Sequence, residues 1–145
     1  MNNKSPDNKK IIAPDLYRKI LFGLELKNIF MTSCSCSINR INLDPNMVIR
    51  ISDEATFSIT EKKEIEVIQK YSLEARNQIT KKRCLNIKCE YHIIYDSKEE
   101  FTQEFFDVFK KENLPINSWP FFRELVYNIT ARMYIPPLSL PLIKR

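Results

Sequence analysis

Glycine is almost absent. The chain of 145 residues holds one, Gly23, where ordinary usage of about 7% gives roughly ten. One glycine cannot write a GxGxxG turn, a P-loop or any other glycine-rich phosphate cradle, which excludes nucleotide sites of that kind. Histidine is as scarce. His92 stands alone, which removes two-histidine metal sites and argues against a histidine-dependent catalytic triad. No run of about 18 apolar residues occurs, so no membrane insertion is expected. The opening MNNKSPDNKK has no apolar stretch of the signal-peptide kind. These absences describe a protein that binds rather than converts: not an enzyme, without cofactor or metal, and cytoplasmic with reduced thiols.

What is present supports a packed core. Hydrophobic residues make up 43% and aromatic residues 11%, with nine Phe and six Tyr. The net charge of +5 suggests a nucleic-acid-binding module as one reading. Its placement argues against that reading. Residues 1–20 and the terminal Lys144 and Arg145 carry the surplus, and residues 21–143 hold 16 basic and 16 acidic side chains. No nucleic-acid partner is therefore expected. Four cysteines stand at 34, 36, 84 and 89. Cys34-Ser-Cys36 is not a CxxC, and small buried hydrophobes is the reading for Cys34, Cys36 and Cys89.

Residues 1–13 have no usable periodicity and read as a flexible N-terminus, with one domain over 14–145. From Leu24 the period is two: Leu24, Leu26, Phe30, Cys34, Cys36 and Ile38 share one face, interrupted by Asn28 and Thr32. A second strand covers about 48–59, with an irregularity expected at Ser52-Asp53-Glu54. A third starts near Glu64 and alternates through Ile65, Val67, Tyr71, Leu73 and Ala75. A fourth alternates through Leu85, Ile87, Cys89, Tyr91, Ile93 and Tyr95. Short turns between them predict an antiparallel meander with one apolar and one polar face. The period then becomes helical. Ser97-Lys98-Glu99-Glu100 fits a capping box for a short helix over 98–112 with Phe101, Phe105, Phe106 and Phe109 on its stripe. Asn113-Leu114-Pro115 breaks it. Ser118 is the expected cap of a longer helix to about 134, with Pro120 in its first turn. Pro136 to Leu142 alternates leucine with proline or serine and is expected to be extended. The fold class is α+β: a four-stranded antiparallel sheet (meander), a short helix, a long helix and an extended Pro/Leu-rich C-terminal segment. Exposed strand edges need cover, and oligomerisation supplies it.

Little here carries chemistry. His92 falls on the polar face of the fourth strand and reads as a solvated surface histidine. Glu64 and Glu66 act as an acid/base pair only inside a pocket, and nothing in the sequence builds one. The apolar tail Leu138-Ser139-Leu140-Pro141-Leu142 either packs along its own sheet or lines a groove.

The C-terminal third resembles a known family. Pro120-Phe121-Phe122-Arg123-Glu124, then Thr130-Ala131-Arg132-Met133, then Pro136-Pro137-Leu138-Ser139-Leu140-Pro141 is similar to the end of the SecB family of export chaperones. The resemblance implies an ATP-independent holdase that binds unfolded polypeptides and keeps them translocation-competent for export, assembled as a dimer of dimers. It implies a client groove lined by Phe57, Ile59, Leu138, Leu140 and Leu142. It implies subunit packing through Phe121, Phe122, Leu125, Tyr127 and Ile129 of the long helix. Family members dock on the motor SecA through an acidic sheet face and tail. Here Glu64, Glu66, Glu74 and Glu90 are the candidates for that docking, but Lys70, Arg76 and Lys88 dilute them and no acidic tail follows. Some SecB-like proteins instead hold one dedicated client, such as an antitoxin of a toxin–antitoxin system, and the basic ends favour that alternative.

Overall fold

The computed structural model describes residues 10–143. Most of the expected flexible start, residues 1–9, and the basic pair Lys144-Arg145 lie outside the described residues. The order is α1 (Pro14–Phe22), β1 (Leu24–Ile38), a one-turn 3-10 helix (Arg40–Asn42), β2 (Met47–Ile59), β3 (Ile65–Asn77), β4 (Arg83–Ser97), α2 (Gln103–Glu112) and α3 (Leu114–Arg132). The sheet is antiparallel and four-stranded, with helices following it, as the α+β reading requires.

Its spatial order is β1-β4-β3-β2. The meander therefore holds for β2, β3 and β4, while β1 lies beside β4, which makes the whole a Greek key. The cause is local. Hairpins join β2 to β3 through residues 60–64 and β3 to β4 through 78–82, each closed by backbone bonds (Thr60 N–H to Glu64 carbonyl, 2.9 Å; Asn77 N–H to Lys82 carbonyl, 2.9 Å). The connection after β1 instead enters the 3-10 turn, where Asn39 N–H bonds the Cys84 carbonyl at 2.8 Å and turns the chain away past β4. With glycine this scarce, left-handed backbone falls on side-chain-bearing residues. Lys63, Lys81 and Tyr134 have φ near +60°, a cost of about 1 kcal/mol each.

β3 and β4 carry the core. Their odd-numbered residues are buried almost without break, and Val67, Leu73, Ala75, Ile87 and Ile93 have no exposed surface. The aromatic residues of α2, with Phe101 just before it, cover them: Phe101, Phe105, Phe106 and Phe109 pack on one another at 5.0–6.2 Å, Phe105 and Phe109 stacked and the other pairs edge-on or tilted. One polar residue breaks the buried row. Gln69 is 1% exposed and donates from Nε2 to the Glu54 and Lys70 carbonyls at 3.2 Å.

Four local expectations change. The helix α1, unforeseen in the sequence, has Pro14 in its first turn, buries Ile20 and stacks Tyr17 on Phe105 at 4.9 Å. Gly23 then leads directly into β1, so close to the end of β4 that a Cβ there would sit 3.2 Å from the Cβ of Lys98. Ser97 is not a helix cap. It ends β4 and its hydroxyl donates to the Glu99 carbonyl, while Thr102 caps α2 by accepting from Phe105 N–H at 3.2 Å. The long helix begins at Leu114 rather than at Ser118, with Pro115 in its first turn and Pro120 inside it. An interior proline costs about 3 kcal/mol. Burying Leu114 returns about 2–3 kcal/mol and the bond of Ser118 Oγ to Tyr71 Oη (2.7 Å) about 1 kcal/mol more, so packing outweighs propensity here. Finally, β2 pairs with β3 without interruption from Met47 to Ile59. The turn-forming Ser52-Asp53-Glu54 is held in the ladder, with Asp53 Oδ2 3.4 Å from Gln69 Nε2.

Candidate functional site

Two bulges shape β1. Its register against β4 shifts between Leu26 and Asn28 and again between Met31 and Ser33. Each inserted residue reverses which side chains face the helices. Leu26, opposite Tyr95, is on the helix side; between the bulges Ile29 and Met31 take over; after them Cys34, Cys36 and Ile38 return. Phe30 is thereby moved to the polar face, against the expectation, and its ring lies 5.8 Å from His92. Asn28 and Thr32, the interruptions seen in the sequence, are what the bulges accommodate.

The helices cover β1 only in part: Leu24, Ile29 and Ile38 are partly buried against the core. On its helix side Leu26 is 42% and Met31 46% exposed, and Cys34 and Cys36 are exposed rather than buried. Cys89, by contrast, is buried, and burial pushes its thiol up to about 11. Above β4, Tyr91 meets the half-exposed ring of Phe121 at 6.2 Å. The result is an open apolar strip along β1 bounded by α3. It continues into a cavity of about 260 Å³ between Leu21, Leu24, Leu26, Phe109 and Ile116, with Asn113 and Asn117 as its polar wall.

The predicted groove residues are distributed differently. Phe57 packs under α2, 4.9 Å from Phe101 and 4.7 Å from Phe106. Ile59 is exposed at the end of β2. The C-terminal segment folds back along α3 rather than along the sheet: Leu138 N–H donates to Thr130 Oγ1 (2.9 Å), Arg123 Nε to the Leu140 carbonyl (2.7 Å) and Trp119 Nε1 to the Pro141 carbonyl (2.9 Å). Leu138 is partly buried, Leu140 is buried, and Leu142 is exposed. Among the predicted interface residues, Phe122 is spent inside the protomer. It has no exposed surface and stacks on Tyr71 at 4.6 Å with 13° between planes. Phe121 and Tyr127 are exposed, and Leu125 and Ile129 partly buried.

The opposite face of the sheet is polar, and the registers sort it into rungs. Near one end stand Glu25 and Asp96, then Glu66; near the other stand Arg50 and Glu74, then Arg76 opposite Arg83. His92 lies between two carboxylates, its Nδ1 2.8 Å from Glu66 and its Nε2 3.2 Å from Glu90, and is only partly exposed. It is thus not the freely solvated histidine the sequence suggested. Lys27 bridges Glu25 (3.5 Å) and Asp96 (3.2 Å), and the hydrogen bond to Asp96 pushes its ammonium pKa upward. Glu74 is held by Arg76 and Arg83, and Glu64 sits in the hairpin turn, its N–H bonded to Thr60 Oγ1. Glu64, Glu66, Glu74 and Glu90 therefore do not form one acidic surface. What the sequence did not show is this division into rungs, because alternation fixes the face of a residue but not its neighbour.

Among the described residues no cluster of His, Cys, Asp and Glu could hold a metal ion, and no helix is long and apolar enough to cross a membrane. The molecule is a sheet-and-helix layer with one open apolar flank and one charged face. That layer has the SecB-like fold. A SecB-like chaperone from Mycobacterium tuberculosis, solved in complex with a ChAD peptide from the HigA1 antitoxin, superposes with a TM-score of 0.78, covering 90% of this chain and 98% of that one at 18% identity. A protein of unknown function from Streptococcus agalactiae is less similar, with a TM-score of 0.45 and 13% identity over 82% of this chain and 97% of that one. No family model and no curated protein matches the sequence.

Proposed function

We propose that this chain is a polypeptide-binding chaperone, a holdase that works without nucleotide or catalysis and recognises extended apolar segments of its client. The observation that carries this reading is the uncovered apolar strip on an edge strand. Leu26, Met31 and Phe121 offer side-chain contacts, and the unpaired edge of β1 offers backbone hydrogen bonds to an extended chain. The fold shared with a chaperone caught on an antitoxin peptide supports it. Family resemblance adds a homo-oligomer, a dimer of dimers in the cytoplasm, which would cover part of the same edge.

Two client repertoires fit. One is unfolded precursors held for export and delivered to SecA. The other is a single dedicated client, such as an antitoxin. The second is favoured by the solvent face: of the carboxylates offered for SecA docking, Glu66 and Glu90 are paired with His92 and Glu74 with Arg76 and Arg83, and paired charges steer a partner poorly. Light scattering from a denatured, aggregation-prone protein diluted into buffer with this chain and no ATP tests the holdase reading. Suppression at about one oligomer per client is expected for a general holdase. Scattering unchanged by this chain over a range of salt removes the general assignment. A pull-down comparing SecA with candidate antitoxins then decides for or against the dedicated one.

A further inference from the structure

The polar face is charged unequally along its length. On the half near Glu25 carboxylates outnumber their partners: Glu25 and Asp96 share Lys27, and Glu66 and Glu90 share His92. The half near the β3–β4 hairpin is different. Lys88, Arg50, Arg76 and Arg83 converge there on rungs of β4, β3 and β2, joined by Lys81 and Lys82 of the turn. Glu74 is the carboxylate among them, and Arg76 and Arg83 hold it. Among the described residues Arg50, Lys81, Lys82 and Lys88 have no carboxylate within ion-pair distance, and all four are exposed.

This end is also concave. A cavity of about 340 Å³ lies between Arg50, Arg76, Lys81, Asn77 and Glu74, the last held by Arg76, and is also lined by Val48, which is 44% exposed. We infer that it is a second docking site, on the face opposite the apolar strip, for a short acidic segment of a partner polypeptide. Charge complementarity sets the sign. The size follows from the rungs: from Lys88 to Arg83 is a rise of about 16 Å, the span of about five extended residues. Beyond Lys88 the next rung is Glu90, Lys70 and Glu54, about 7 Å on and within a Debye length at ordinary salt. A long phosphate backbone laid along the strands runs onto those carboxylates, whereas a short carboxylate cluster stops before them. Val48 adds an apolar contact that a side chain can use and a phosphate does not. The site is independent of the proposed client strip.

Fluorescence anisotropy with the full chain and a labelled polyglutamate peptide tests it. Binding is expected to weaken with salt. It is also expected to weaken at least about tenfold in the Arg50→Glu, Lys81→Glu double variant. Lys81→Glu with Lys82→Glu, both in the exposed turn outside the strands, repeats the test if the first variant fails to fold. Glu90→Gln is expected not to weaken binding. Absence of peptide binding, or binding indifferent to both reversals, overturns the assignment. Tighter binding of oligothymidylate than of polyglutamate, lost in the same variants, overturns it in favour of nucleic acid. Self-association abolished by these reversals in sedimentation overturns it in favour of a second copy. Client suppression in light scattering should be unchanged by either variant, which keeps this outcome separate from that of the holdase reading.

Discussion

Replacing Phe122 by alanine tests whether the apolar stripe of α3 serves the protomer or the assembly. The ring has no exposed surface, stacks on Tyr71 at 4.6 Å and meets Trp119 at 5.6 Å. Truncating a buried Phe costs about 3–5 kcal/mol through lost transfer energy and the cavity left behind. That is a large fraction of the roughly 5–15 kcal/mol that holds an ordinary domain folded. At about 3 °C per kcal/mol for a chain of this size, the melting temperature should fall by roughly 10–15 °C. Its neighbour Phe121 is 42% exposed and rests on Tyr91; Phe121→Ala should cost under about 1 kcal/mol in the protomer. Urea unfolding at two protein concentrations separates the cases, because loss of an assembly contact appears only as a concentration-dependent midpoint. Phe122→Ala should lower the midpoint equally at both concentrations. A loss below about 1 kcal/mol for Phe122→Ala, or one confined to the dilute sample, would refute the placement of Phe122 in the core and return it to the interface.

The C-terminal segment and the buried tyrosines give two further tests. Leu140→Ala should cost about 2–3 kcal/mol in thermal melts, because Leu140 is 5% exposed, while Leu142→Ala should stay within about 0.5 kcal/mol; equal small effects would mean that the tail is not held on α3. Burial pushes the phenols of Tyr71 and Tyr95 up to about 12. A raised folded value means that their contribution is intact below pH about 10, the unfolded value, and is lost as pH climbs toward 12. The tyrosinate absorbance of Tyr71 and Tyr95, each read as the difference from its Phe variant, should therefore appear together with loss of the sheet signal, and Tyr71→Phe should make the alkaline transition shallower. Either difference appearing near pH 10 with the sheet intact would contradict that burial.

The faces of β3 and β4 were legible because a period of two over a dozen residues leaves little choice of register. Buried odd positions from Ile65 to Ala75 and from Leu85 to Tyr95 follow from it. Strand order was not legible. Nothing in the apolar pattern of β1 distinguishes pairing with β2 from pairing with β4, and a short Asn39 to Asn42 turn made the decision. The start of α3 differs from the sequence expectation for another reason. Ser118 has the chemistry of a cap, and only the position of Tyr71 on β3 shows that its hydroxyl is wanted in the core. Phe122 was placed correctly on the apolar stripe, but a stripe does not say whether its cover is the sheet or another subunit. Residues 14–22 carry the weakest pattern, and α1 is hard to read because one buried residue, Ile20, is a poor periodic signal.

Charge shows the same gap between sequence and structure most clearly. Residues 21–143 balance 16 basic against 16 acidic side chains, and on β3 and β4 the two signs alternate closely enough to suggest a bland surface. Antiparallel pairing rearranges them. Glu74 is next but one to Arg76 in sequence, yet across the sheet it shares its rung with Arg50 and Asn86, and Arg76 shares the next with Arg83. Glu66, ten residues before Arg76, is carried about 33 Å along the strand at 3.3 Å per residue, several Debye lengths away at physiological salt. A partner at the hairpin end therefore meets Arg50, Arg76, Arg83 and the turn lysines without meeting Glu66. The net charge of such a strand pair is a sum over two ends that no single ligand of ordinary size experiences together, and it is the register that decides which end a ligand sees.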